Sequence, residues 1–172
     1  MLGDNYLLDF LIDTKRKEIA NSQPFELLDG DLLEMPKNII QKAFEGFTDK
    51  VAVISILGPQ SSGKSTLLNF LFGCDFSISE GRCTKGIYGT YFKFSNISLP
   101  NCDGVFLLDT EGLFANLNKK DESKRKKDFD AKLVLFCLAV SNIVIINTKG
   151  NIDIESSRIL QSSRDRIKAL EK

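Results

Sequence analysis

The sequence contains no histidine, and its four cysteines (Cys74, Cys83, Cys102 and Cys137) lie scattered with no Cys-x-x-Cys pair. Without imidazole or paired thiolates there is no zinc-ligand spacing, so these cysteines read as buried or half-buried thiols of a reducing compartment. Net charge is also missing: 23 basic residues balance 23 acidic ones. A neutral chain has no general attraction to nucleic acid or an anionic bilayer, so neither is expected as a partner. Nor is there a long hydrophobic run. The longest apolar tract, Leu133 to Ile146, is interrupted by Ser141 and Asn142, and a spanning helix needs about 20 apolar residues. The N-terminus has no basic segment or small-residue cleavage site, and Asp4 and Asp9 flank its apolar residues, so no secretory signal is read there. These absences point to a cytoplasmic protein without a transmembrane segment.

What is present is hydrophobic periodicity that changes along the chain. The 172 residues read as one domain. Tyr6, Leu7, Phe10 and Leu11, and then Ile39, Ile40, Ala43, Phe44 and Phe47, recur at helical spacing. Pro36 suits the start of the second helix, and Pro24 falls between the two. Residues 1–50 are therefore expected to form a helical lead-in.

From Val51 to Leu57 the run is almost wholly apolar, as in a strand covered on both faces. Leu67, Leu68, Leu71 and Phe72 then predict a helix, with Gly73 at its end. Tyr88 to Phe94 alternates as a strand does, Val105 to Leu108 is another buried strand, and a turn at Pro100–Gly104 separates them. Ala131 to Val140 reads as a helix, Ile143 to Ile146 as a strand, and Ile154 to Leu170 as a surface helix packing through Ile159, Leu160, Ile167 and Leu170. The order predicts an α/β domain with helices on both faces of a mainly parallel sheet. Residues 51–148 form its core and 149–172 a C-terminal helix. Lys119 to Asp128, six basic and three acidic residues, is expected to be a solvated loop that could also serve as a partner contact.

The chemistry is concentrated at GPQSSGKST, Gly58 to Thr66, which fits G-x-x-x-x-G-K-[ST] between a buried strand and a helix. Phosphates need many donors at short range. Gly58 and Gly63 let the backbone turn its N–H groups inward along Pro59, Gln60, Ser61 and Ser62, and the helix N-terminus adds a positive dipole. Lys64 is placed to bridge β- and γ-phosphates, Ser65 to ligate Mg2+, and Thr66 to reach the α-phosphate.

The second signal is LLDTEG, Leu107 to Gly112. Asp109 ends a buried strand, where its carboxylate can orient the magnesium shell, and the Gly112 N–H can meet the γ-phosphate. Between these motifs lies GRCTKG, Gly81 to Gly86, whose Thr84 hydroxyl is the candidate to complete the metal coordination once a γ-phosphate is bound. Lys64 and Thr84 are thus the catalytic candidates. No general base is apparent.

At these motifs the chain resembles large GTPases of the dynamin superfamily: guanylate-binding proteins, atlastin-like fusion GTPases and the very large interferon-inducible GTPases. The resemblance covers roughly Phe25 to Gly150. GPQSSGKSTLLNFLFG is similar to the P-loop of the plant and fungal atlastin counterparts, while GRCTKG, LLDTEGL and FCLAVSNIVIINTKG most resemble the very large inducible type. It implies a P-loop G-domain fold, GTP and Mg2+ as ligands, hydrolysis, and nucleotide-dependent homodimerisation. By position, Lys64, Ser65, Thr84, Asp109 and Gly112 match the family's phosphate and magnesium residues.

Two departures stand out. Ser61 occupies the place of the P-loop arginine that guanylate-binding proteins and atlastins use, and the acidic guanine-specificity pair is not found after Ile143–Ile146. Asn147-Thr148-Lys149-Gly150 only superficially suggests Asn-Lys-x-Asp. The domain is therefore expected to be incomplete at its C-terminus and to read the base poorly. A P-loop ATPase, or a non-catalytic split domain completed by another protein chain, stays open beside the GTPase reading.

Overall fold

The computed structural model describes residues 21–30, 38, 41–42, 44–77, 86–94, 101–113, 120–150 and 154–170. Five strands are resolved: β1 (Phe25–Leu28), β2 (Val51–Leu57), β3 (Ile87–Lys93), β4 (Gly104–Thr110) and β5 (Ile143–Ile146). Among the described residues the longer helices are α1 (Lys64–Phe72), α2 (Lys120–Val140) and α3 (Ile154–Leu170). The strands form one sheet in the order β1-β3-β4-β2-β5. β2 pairs in parallel with both β4 and β5, whereas β3 runs antiparallel to β4 and to β1. Only β3 opposes the common direction among the described strands.

The period-2 alternation of strands sorts residues into two apolar layers. On β4, Val105 and Leu107 join Ile56 of β2 and Leu68 of α1 in one cluster. Phe106 and Leu108 point the other way and join Leu57 with Phe129, Leu133, Val134 and Cys137 of α2. Helices thus cover both faces, which makes the three-layer α/β sandwich expected from the order of elements. Burial of β4 from Gly104 to Thr110 without interruption explains why its run is apolar at every position until Asp109. On α3, Leu160 packs against the α2 layer, while Ile154 is exposed.

Two expectations are corrected. The stretch read as a helical lead-in contains β1, an edge strand whose Phe25 and Leu27 are buried. Four residues, FELL, are too few to show a period by themselves; tertiary pairing with β3 decides their conformation. The readings over residues 6–11 and Thr84 fall outside the described residues, as do Ile39 and Ile40. The charged run is also not a loop: the backbone is helical from Lys120 onward. Lysine, arginine and glutamate are good helix formers, and a helix nucleated on the packed half from Phe129 to Cys137 extends through them at little cost.

Phe25 ties the edge to the core. Its ring centroid lies 5.9 Å from Phe106 and 6.2 Å from Phe44. Because it is 1% exposed, Phe25→Ala is expected to cost about 3–5 kcal/mol, read as a lower guanidinium midpoint with unchanged slope. A change below 1 kcal/mol would mean that β1 is not part of the cooperative unit.

At the end of the sheet away from the phosphate loop, Asp49 accepts from the Tyr91 hydroxyl at 2.6 Å and from Lys93 Nζ at 3.0 Å. The Tyr91 bond first, and Lys93 second, hold the Asp49 carboxyl below its ordinary range. Cys137 lies in the α2 layer, where burial pushes its thiol up to about 12, so it packs as a small apolar residue.

Candidate functional site

β2, β4 and β5 all end at the same edge of the sheet, the edge where α/β sheets place ligands. The chain leaves β2 at Gly58, turns through Pro59 to Ser62 with a Ser62 N–H to Pro59 O bond of 3.3 Å, and enters α1 at Lys64. Ser61 (φ 58°) and Gly63 (φ 86°) are both left-handed, so the arc bends more sharply than ordinary backbone does. Gly63 caps α1 without any side-chain hydrogen bond, and the first turn has no acidic residue. Nothing in that turn neutralises the positive helix end, which suits an anion. Thr66 lies in this first turn and is exposed.

Lys64 is only 6% exposed, and its Nζ donates to the carbonyls of Gly58 (3.2 Å) and Pro59 (3.0 Å). The ammonium is therefore held inside the arc by its own backbone. One step along, Ser65 Oγ donates to Asp109 Oδ2 at 2.6 Å. Asp109 is fully buried and pairs in register with Ile56 on β2, one residue from the strand end rather than at its tip. The P-loop serine and the strand aspartate are thus brought together as expected. Their donor set is entirely oxygen, the set that magnesium prefers, and a buried carboxylate beside a hydroxyl fits a hard cation. Burial, and then the negative charge of Asp109, push the neighbouring Cys74 thiol up to about 11, so it stays a thiol.

Gly112 lies directly on the phosphate loop. A Cβ there would sit 2.3 Å from the Gln60 Cα, closer than any side chain tolerates, so glycine is required by close approach. Leu113 N–H then bonds Gly58 O at 3.0 Å, fastening the segment after Asp109 across the start of the loop.

Two residues to which the sequence reading assigned no role at the phosphate loop and its flanks make bonds there. Glu111 is 3% exposed, and its Oε2 accepts from Gly86 N–H at 3.0 Å while its own N–H bonds Gly86 O at 2.7 Å. Gly86, the last residue of GRCTKG, is held in place by this pair of bonds. Asn147 follows β5 and donates from Nδ2 to Ser62 O at 3.0 Å. Its position became visible only when β5 was paired with β2; the sequence signal was its place directly after an apolar run. Among the described residues, no group of three histidine, cysteine, aspartate or glutamate side chains could hold a metal.

A glycine-rich arc between a parallel strand and a helix, beside a neighbouring strand with a buried aspartate one residue from its end, defines a P-loop nucleotide-binding domain of the G-domain class. More narrowly, the chain belongs to the URGCP-like GTPase domain family, whose profile matches residues 11–164. It is 39% identical over 145 residues to interferon-induced very large GTPase 1 of Homo sapiens, covering 80% of this chain, and 39% identical over 148 residues to the Mus musculus protein of that name. It is also 38% identical over 112 residues to a Protein SEY1 homolog of Theileria annulata, covering 62% of this chain. The chain spans 6% of the length of each very large GTPase and 11% of the SEY1 homolog. Among the described residues no helix is long and apolar enough to cross a membrane.

Proposed function

We propose that this domain binds GTP together with Mg2+ and hydrolyses it to GDP and phosphate. The observation that carries the reading is the 2.6 Å contact between Ser65 of the phosphate loop and Asp109 of β4. It brings a hydroxyl and a carboxylate together at the start of α1, next to the lysine that bonds the loop carbonyls. Gly58 to Gly63 would wrap the phosphates with N–H groups, Lys64 would exchange its two carbonyl partners for β- and γ-oxygens, and Thr66 would reach the α-phosphate. Bound magnesium would supply charge neutralisation at the β- and γ-oxygens, with Ser65, Asp109 and Thr84 as the residues that hold it.

In the chemical step a water would attack the γ-phosphorus in line while the β–γ bridging oxygen leaves as part of GDP. The chain's share is positioning and charge. Lys64 would balance charge gathering on the phosphoryl oxygens, and the Gly112 N–H would meet the γ-phosphate. With Ser61 in place of a P-loop arginine, turnover by the chain alone is expected to be slow. A nucleotide-dependent homodimer, or a completing chain, is supported by β5: among the described strands it pairs only with β2, and Ile143 is 54% exposed.

Calorimetric titration with GTP and ATP, with and without magnesium, tests the reading. Expected is binding of GTP strengthened by magnesium, with ATP weaker by less than about tenfold, or ~1.4 kcal/mol, because the contacts assembled here are to phosphates, which both nucleotides share. Binding of neither would overturn the proposal, and tighter binding of ATP than of GTP would favour a P-loop ATPase.

A further inference from the structure

Asn147 touches the phosphate loop at both ends of its arc. Its N–H bonds Leu57 O at 2.8 Å, carrying the β2–β5 pairing one residue beyond the strands. Its carbonyl oxygen fills the place where a Cβ on Gly58 would stand, 2.0 Å away. Its side-chain Nδ2 donates to Ser62 O at 3.0 Å. Only the NH2 end of the amide can serve a carbonyl, so the acceptor fixes which way the amide is turned.

The third contact has a consequence for the neighbouring peptide. A trans peptide is planar, and its C=O and N–H point to opposite sides. Drawing the Ser62 carbonyl toward Asn147 therefore turns the Gly63 N–H to the side opposite Asn147. The opposite orientation would present an oxygen lone pair to that side. Sterics do little to choose between them, because Gly63 is left-handed at φ 86° and a Cβ there would meet nothing within 4 Å.

We infer that Asn147 is a positioning residue of the phosphate site: its amide selects the Ser62–Gly63 peptide orientation that offers an N–H to an anion. This rests on the nucleotide-binding reading. Asn147 would touch no part of the nucleotide and would not read the guanine, despite its place in a sequence that superficially suggests Asn-Lys-x-Asp. Its effect is shared by every ligand that carries the same phosphates.

The test uses the full chain and the variants Asn147→Asp, which keeps the shape and loses the donor, and Asn147→Ala. Magnesium complexes of GTP and ATP are titrated, and Kd is read separately from the bound stoichiometry. Both variants are expected to weaken both nucleotides by about tenfold, with stoichiometry and thermal midpoint near those of the parent. In Asn147→Asp the loss relative to the parent at the same pH shrinks as pH falls, because a protonated carboxyl donates again. A purely structural role would lower stoichiometry and midpoint while leaving Kd and its pH profile unchanged, and would overturn the inference. So would parental Kd values in both variants, with the nucleotide reading intact. A parent chain that binds neither nucleotide would overturn that reading and this inference together.

Discussion

Lys64→Ala is expected to abolish measurable nucleotide binding while the chain stays folded. The ammonium is held inside the loop by the carbonyls of Gly58 and Pro59, at 3.2 and 3.0 Å, so phosphate oxygens entering the arc meet a cation already in place. A hydrogen bond to a charged group contributes roughly 1.5–3 kcal/mol. Loss of two such bonds corresponds to a factor of at least about 100 in Kd. Folding has much less at stake. Lys64 belongs to neither apolar cluster and occupies the first position of α1, where alanine is the best helix former. A stability change within about 1 kcal/mol is expected. Titration and a guanidinium melt on the same sample separate the two effects. Wild-type affinity in the folded variant would remove the phosphate-loop assignment, and unfolding would show that the lysine serves the core.

The phosphate loop and its flanking elements were legible from sequence because their signals are local. A continuous apolar run, a glycine arc and a helical repeat each lie within a dozen residues, and Gly58, Gly63, Lys64 and Ser65 come from one segment. The meeting of Ser65 with Asp109 was also legible, since a buried strand ending in aspartate has few places to go in a parallel sheet. β1 was not, because FELL is too short to carry a period and is extended only through its register with β3. Nor was the helical state of residues 120–128, where composition reports solvation and the neighbouring packed turns decide conformation. Glu111 and Asn147 were missed for a third reason. Each acts by a side-chain bond to a backbone group far away in sequence, Gly86 and Ser62 respectively, and no local pattern encodes such a bond. The apolar repeat of α1 misled more mildly: Leu68 is fully buried, but Leu71 is 54% exposed, so only part of the repeat packs on the sheet.

The second large effect is expected at Asp109. Asp109→Asn keeps the size of the side chain and an oxygen that can still accept from Ser65, but removes the negative charge. If Asp109 and Ser65 hold the cation together, the loss should fall on the metal and not on the nucleotide alone. In chelator, GTP is expected to bind Asp109→Asn at least as well as the parent, because one repulsive charge near the phosphates is gone. Added magnesium should then strengthen binding to the parent but barely to the variant, a difference of about 10–100-fold in apparent metal affinity. Ser65→Ala, which removes the hydroxyl and leaves the carboxylate, should reproduce the magnesium defect without the gain in chelator. The pair of variants thus separates charge from ligation. The site sits between β2 and α1, and Asp109 is fully buried, so a thermal melt must accompany each titration: a variant with a lowered midpoint and reduced stoichiometry would report a damaged fold. An undiminished magnesium increment in folded Asp109→Asn would show that the cation is held elsewhere, and that the Ser65–Asp109 contact only braces α1 against β4.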